Sequence, residues 1–178
     1  MALDRILLSD GSETGRMKEL SLNILDVARN SVNAGADRIG LYLTENGKGK
    51  LTVRIVDNGC GMDGETLKNC VRPGFTIRVG SSGLGLALMA AESALCGGKM
   101  KVLSRKGKVF HGTAVEACFD MTFPNVLPLG KIEQTVRTLA LAETHPRIRF
   151  VYRTPEETFT FRSEGSSGHI GKKTETKI

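Results

Sequence analysis

Two glycine clusters constrain this chain most: Asp57-Asn58-Gly59-Cys60-Gly61-Met62 and Gly80-Ser81-Ser82-Gly83-Leu84-Gly85-Leu86. The first closes the alternating apolar stretch 51–56, which predicts a strand that ends at Asp57. A carboxylate at that point can accept from an exocyclic amine, while the glycines let backbone pass close to a flat base. The second cluster precedes the apolar helical run 84–95 and so aims the free N–H groups of a helix start at an anion. Either cluster alone is weak, since a DNG triplet is most often just a turn. The order helix, strand, strand, DNGCGM, variable segment, GSSGLGL, helix fits neither a phosphate loop ending in Lys-Ser/Thr nor a unit whose glycines follow the first strand.

A third element lies upstream. Residues 17–34 read as a helix in which Glu19, Asn23, Asp26, Asn30 and Asn33 recur at steps of four and three, forming one narrow polar stripe. Leu20, Ile24 and Val27 flank it on one side and Leu22, Leu25 and Val32 on the other, so most of this helix is expected to be buried, with the stripe facing a cavity. A solvated face usually carries Lys, Arg and Glu, whereas short carboxylates and carboxamides suit a hard cation and its water.

The segments LDVARNSVNAGAD, DNGCGM and GSSGLGLAL, with the pair Gly112-Thr113, resemble four motifs of the histidine-kinase-like (GHKL) ATPases, the group of gyrase, heat-shock chaperone, histidine kinase and MutL. The resemblance spans residues 17–120; the first two segments are most similar to MutL and SGLGLAL to histidine kinases. It implies an ATP and Mg²⁺ site in which Asn30 ligates the metal and Asp57 binds the adenine amine, helped by Thr113 through a water. It also implies that Gly59 and Gly61 shape the pocket floor, that Gly83 and Gly85 let a lid reach the phosphates, and that Met62 and Leu84 are among the nucleotide-binding residues. Asp26 takes the position where many members carry a glutamate that orients the attacking water or acceptor hydroxyl. That is a departure, since aspartate is one methylene shorter.

Phosphoryl transfer asks a protein mainly to position reactants and stabilise charge, and these groups can do so without a covalent nucleophile. Arg72, Arg78 and Lys99 are candidates for added positive charge, Arg78 foremost because it lies in the lid between the glycine motifs. The lid is short, with 64–71 helical and 72–82 its mobile portion.

The predicted elements give an α/β sandwich, a mixed, largely antiparallel sheet with helices packed on one face. Strands are expected at 3–8, 38–44, 50–56, 99–104 and 113–121, with a turn over 9–15 and a hairpin across Asn46-Gly47. Residues 1–123 form the ATP-binding domain; 124–162 extend it with a helix over 132–142 and strands at 147–153 and 157–162; 163–178, rich in Gly, Ser, Lys and Thr, read as a flexible tail. The extension, with LPLGKI and IRFVYR, resembles that of small stand-alone members of this group in anaerobic bacteria.

With 178 residues, 40% hydrophobic and 25% charged, the chain fits one soluble domain. It shows no membrane span or signal-peptide pattern, so a cytoplasmic setting is expected. Cys60, Cys70, Cys96 and Cys118 lack CxxC spacing, which favours buried free thiols over zinc or disulfides. Much of the net charge of +6 falls in the loop 105–108 and among Lys172, Lys173 and Lys177, which argues for solvated charge rather than nucleic-acid binding.

Two function classes follow. One is an enzyme that hydrolyses ATP or transfers its phosphoryl group to a protein partner; the other is a catalytically weak, nucleotide-gated protein-binding module of anti-sigma type. His111, His145 and His169 sit in a loop, before a proline and in the tail, which suits surface histidines better than phosphoacceptors.

Overall fold

The computed structural model describes residues 19–76, 83–164 and, as backbone, 174–177. Its helices are α1 (Leu20–Asn33), α2 (Gly64–Asn69), α3 (Gly85–Leu95) and α4 (Ile132–Ala140). The strands are β1 (Arg38–Glu45), β2 (Lys50–Asp57), β3 (Met100–Arg105), β4 (Gly112–Asp120), β5 (Arg147–Arg153), β6 (Glu157–Arg162) and β7 (Thr174–Lys177). The expected strand at 3–8 and turn at 9–15 lie outside the described residues.

The strands form one sheet in the order β3-β4-β2-β1-β5-β6-β7. Only β1 and β5 pair parallel; the other neighbours are antiparallel. Helices α1, α3 and α4 pack on one face, so the mixed α/β sandwich expected from the sequence is present. Period-two alternation builds the core. One row of registered partners, Val115, Ile55, Leu41, Phe150 and Phe161, runs across five strands and is buried throughout. Helix α4 adds Ile132, Val136 and Leu139 at helical spacing, and Phe150 meets Phe159 edge-on at 5.7 Å between ring centroids.

Helix α1 buries the stripe Leu20, Ile24, Val27, Ala28 and Ser31. Leu22, expected on a buried flank, is 41% exposed, because it falls about 200° round the helix from Ile24. The first turn of α1 has no side-chain cap; the Leu20 and Ser21 N–H groups donate to the carbonyls of Pro128 and Leu129, each at 2.9 Å. The Thr135 hydroxyl also donates to the Ser21 carbonyl at 3.0 Å, so the segment after Pro124 is joined to the helix that carries the polar stripe.

The hairpin expected across Asn46-Gly47 is present: β1 and β2 pair antiparallel around a four-residue loop, in which Asn46 Oδ1 accepts from the Lys48 and Lys50 N–H groups at 3.0 and 2.9 Å. The tail differs from the sequence reading. Within the expected tail, Ser163 exchanges bonds with Ile148, and Thr174–Lys177 pairs antiparallel with β6. An open β6 edge offers unpaired backbone groups, and Thr174 and Thr176 have strand propensity. Among the described residues no helix is long and apolar enough to cross a membrane.

Candidate functional site

The C-terminal half of α1, the end of β2, the loop before α2, residues 75–76 and the start of α3 enclose a cavity of about 250 Å³. Asp26, Asn30 and Asn33 line it from α1, so the polar stripe faces a cavity along its second half. Glu19 and Asn23 do not line it. Asn23 is fully buried, in the part of the helix covered by Pro128, Leu129 and Thr135.

Asp57 stands where β2 ends. Its Oδ1 accepts from the N–H groups of Gly59 at 2.9 Å and Thr113 at 3.2 Å, and its Oδ2 accepts from the Ser31 hydroxyl at 2.6 Å. The register explains part of this, since Asp57 and Thr113 are paired residues of β2 and β4. Thr113 Oγ1 lies 2.8 Å from Ser104 Oγ, which accepts from the Met62 N–H at 2.8 Å. The carboxylate, the floor and the DNGCGM loop are thereby one hydrogen-bonded unit.

Two glycines are there for close approach. Gly61 has φ +69°, and a side chain on it would run into the Arg105 carbonyl. A Cβ on Gly85 would collide with Asp26 Oδ2, so the missing side chain lets the Asp26 carboxylate meet the first residue of α3. A carboxylate beside a helix start is electrostatically favourable.

Met62, Gly83, Leu84 and Thr113 also line the cavity, while Gly59 sits behind it and holds Asp57. Arg78 lies outside the described residues. Arg72 and Lys99 are exposed and do not line the cavity. The sequence reading did not place Phe75, Thr66, Cys60 or Cys70 in the site, yet all four line the cavity. Cys60 is exposed rather than buried, and burial pushes the Cys70 thiol up, which keeps it a neutral wall beside Phe75 and Val27.

Ser31 is the most informative omission. It lies within the apolar stripe Ile24, Val27, Ala28, and a polar residue in such a stripe requires a partner. Its partner is Asp57. Ser31→Ala is expected to lower stability by about 1–2 kcal/mol, or roughly 2–8 °C in Tm, and to loosen Asp57. A thermal melt unchanged from wild type would remove Ser31 from this role.

Asp57 thus offers the cavity a fixed acceptor among apolar walls, suited to an amine-bearing flat ring, and Asp26, Asn30 and the start of α3 offer it carboxylate, carboxamide and helix-start N–H groups, suited to an anion with its cation.

The family described as histidine kinase-, DNA gyrase B-, and HSP90-like ATPase matches residues 14–124, more than half of the chain. The DNA mismatch repair protein MutL of Allorhizobium ampelinum is 42% identical over 57 residues, covering 32% of this chain and 9% of MutL. The signal transduction histidine-protein kinase AtoS of Escherichia coli strain K12 is 28% identical over 128 residues, covering 72% of this chain and 19% of the kinase. The chain therefore spans less than a fifth of the length of either relative. The solved N-terminal domain of a DNA repair protein superposes with a TM-score of 0.58 at 18% identity, covering 89% of this chain and 52% of that one, a likeness of fold. The chain belongs to the histidine kinase-, DNA gyrase B- and HSP90-like ATPases, and membership of that family implies binding of ATP.

Proposed function

We propose that the cavity binds ATP with Mg²⁺ and that the chain transfers the terminal phosphoryl group to water or to a hydroxyl of a protein partner. The observation that carries this reading is Asp57, whose carboxylate is fixed by three donors in the same cavity that Asp26 and Asn30 line. Asp57 receives the adenine amine, with Thr113 beside it. Gly61 and Met62 form the floor, and Gly83, Leu84 and Gly85 present backbone to the phosphates. Arg78 is proposed to reach them from the lid.

The donor set suits the metal. Among the described residues no three of His, Cys, Asp and Glu cluster as a cage, and no Lys, Arg or His lines the cavity. A triphosphate there needs a counter-cation, and Mg²⁺ takes one or two protein oxygens with phosphates and waters completing its shell. Asn30 offers such an oxygen. When bound, the ion supplies charge neutralisation across the phosphates. The chain's own part is positional: Asp26 orients the attacking oxygen and takes its proton as the new P–O bond forms, the β–γ bridge breaks and ADP leaves.

A nucleotide-gated binding module is favoured by one observation, the contact of Asp26 Oδ2 with Gly85, which would let this carboxylate hold the α3 start instead of a water. The proposed setting is the cytoplasm, where ATP is present and the thiols stay reduced.

Asn30→Ala tests the metal assignment. Calorimetry should show ATP affinity falling far more in the presence of Mg²⁺ than in its absence. A variant with wild-type Mg²⁺ dependence would take Asn30 out of the metal shell.

A further inference from the structure

The sheet face turned away from the helices carries a second constellation, assembled by register from residues far apart in sequence. Arg54 stands opposite Tyr42, Arg149 opposite Gly40, and Arg162 opposite Arg149. Arg38 and Arg147 face each other one step along, and Arg153 stands at the opposite end of β5, beyond Val151. All six arginines are exposed. Arg38 and Arg147 share Asp37, at 3.7 and 3.3 Å. Among the described residues no carboxylate lies within 4.0 Å of Arg54, Arg149, Arg153 or Arg162; Glu116 is the cross-strand neighbour of both Arg54 and Lys101 without closing on either. Like charges directly opposite on adjacent strands are destabilising, so the Arg149–Arg162 pair costs stability that no carboxylate ion pair among the described residues offsets.

Tyr42 lies between these arginines. A Cβ built on Gly40 would fall 2.6 Å from Tyr42 Cε2, 2.9 Å from Oη and 3.0 Å from Cζ. The half-exposed ring therefore leans over the bare Gly40 backbone, with Arg54 opposite Tyr42 on β2 and Arg149 opposite Gly40 on β5.

We propose that this face binds single-stranded nucleic acid, with a base stacked on Tyr42 and phosphates taken by Arg54, Arg149, Arg153 and Arg162. A stacking platform among exposed cations is what a sequence-tolerant single-strand site requires. An acidic peptide would use the charges but has no need of the aromatic ring among them. A duplex is a poorer fit, because a flat sheet face offers no ridge to enter a groove. Alternate residues of one strand stand about 6.6 Å apart, so Arg147 and Arg149 are adjacent guanidinium forks on β5, with the buried Val151 between Arg149 and Arg153. Four of the arginines, at 147, 149, 153 and 162, lie beyond the family match at 14–124. The proposal therefore gives the extension a binding role separate from the ATP cavity on the helical side of the sheet.

The test is fluorescence anisotropy with a labelled oligothymidylate of roughly 12 nucleotides at about 50 mM salt. Saturable binding is expected. Arg149→Gln with Arg162→Gln should weaken it at least about tenfold and make the log–log salt slope shallower by roughly 1.4. Tyr42→Leu should weaken it about five- to hundredfold through lost stacking. The double arginine variant should melt at or above wild type, so it decides the matter even if Tyr42→Leu fails to fold. No saturable binding, binding unchanged in the double variant, or displacement by polyglutamate of equal charge as readily as by unlabelled oligonucleotide would overturn the proposal.

Discussion

Asp26→Asn is expected to leave ATP affinity nearly unchanged while slowing hydrolysis or transfer by roughly 10²–10⁴-fold, the range of a positioned acid–base group. Asp26 is half-buried, lines the cavity, lies one helical turn before Asn30 and meets Gly85 at the start of α3, which places it with the groups proposed to hold the phosphates. Asparagine keeps the shape but cannot accept the proton. Single-turnover measurement with Mg²⁺-ATP checks this. Equal rates in wild type and variant would end the catalytic role. If wild-type turnover were already at background and the variant altered only partner affinity, the chain would be a gated module.

The second large effect is expected at Asp57. Its Oδ1 is committed to the Gly59 and Thr113 N–H groups, so an asparagine there would keep its carbonyl on that side and turn its amide NH₂ toward Ser31 and the proposed adenine amine. Two donors would then face each other. The cost is on the order of 1–3 kcal/mol, about ten- to a hundredfold in ATP affinity by calorimetry. Unchanged affinity in a variant that melts like wild type would show that the pocket is wrongly assigned.

Much of this site was legible because its signals are local. A strand ending in Asp-Asn-Gly, a glycine run before an apolar helix and a polar stripe at steps of three and four each place a group relative to its own element. What could not be read depends on tertiary partners. The stripe predicts five residues facing a cavity, yet Asn23 is buried because a segment more than a hundred residues later covers the start of α1. Ser31 carries a detectable signal, but only register and packing reveal that Asp57 is its partner. Ser104 likewise enters through the β3–β4 pairing that brings it to Thr113. The arginine face is the extreme case. Along the chain its members are scattered among ordinary alternating residues, so the charge excess reads as loop and tail; a sheet that sets β2, β1, β5 and β6 side by side gathers them.

The central claim is that Asp57 reads the amine of adenine. Titrating the wild-type chain calorimetrically with ATP and with inosine triphosphate, which carries a carbonyl where adenine carries that amine, tests it without altering the protein. A carboxylate facing a carbonyl gains no hydrogen bond and leaves two acceptors opposed, so inosine triphosphate should bind about ten- to a hundredfold more weakly. Equal affinity for the two nucleotides would contradict the account.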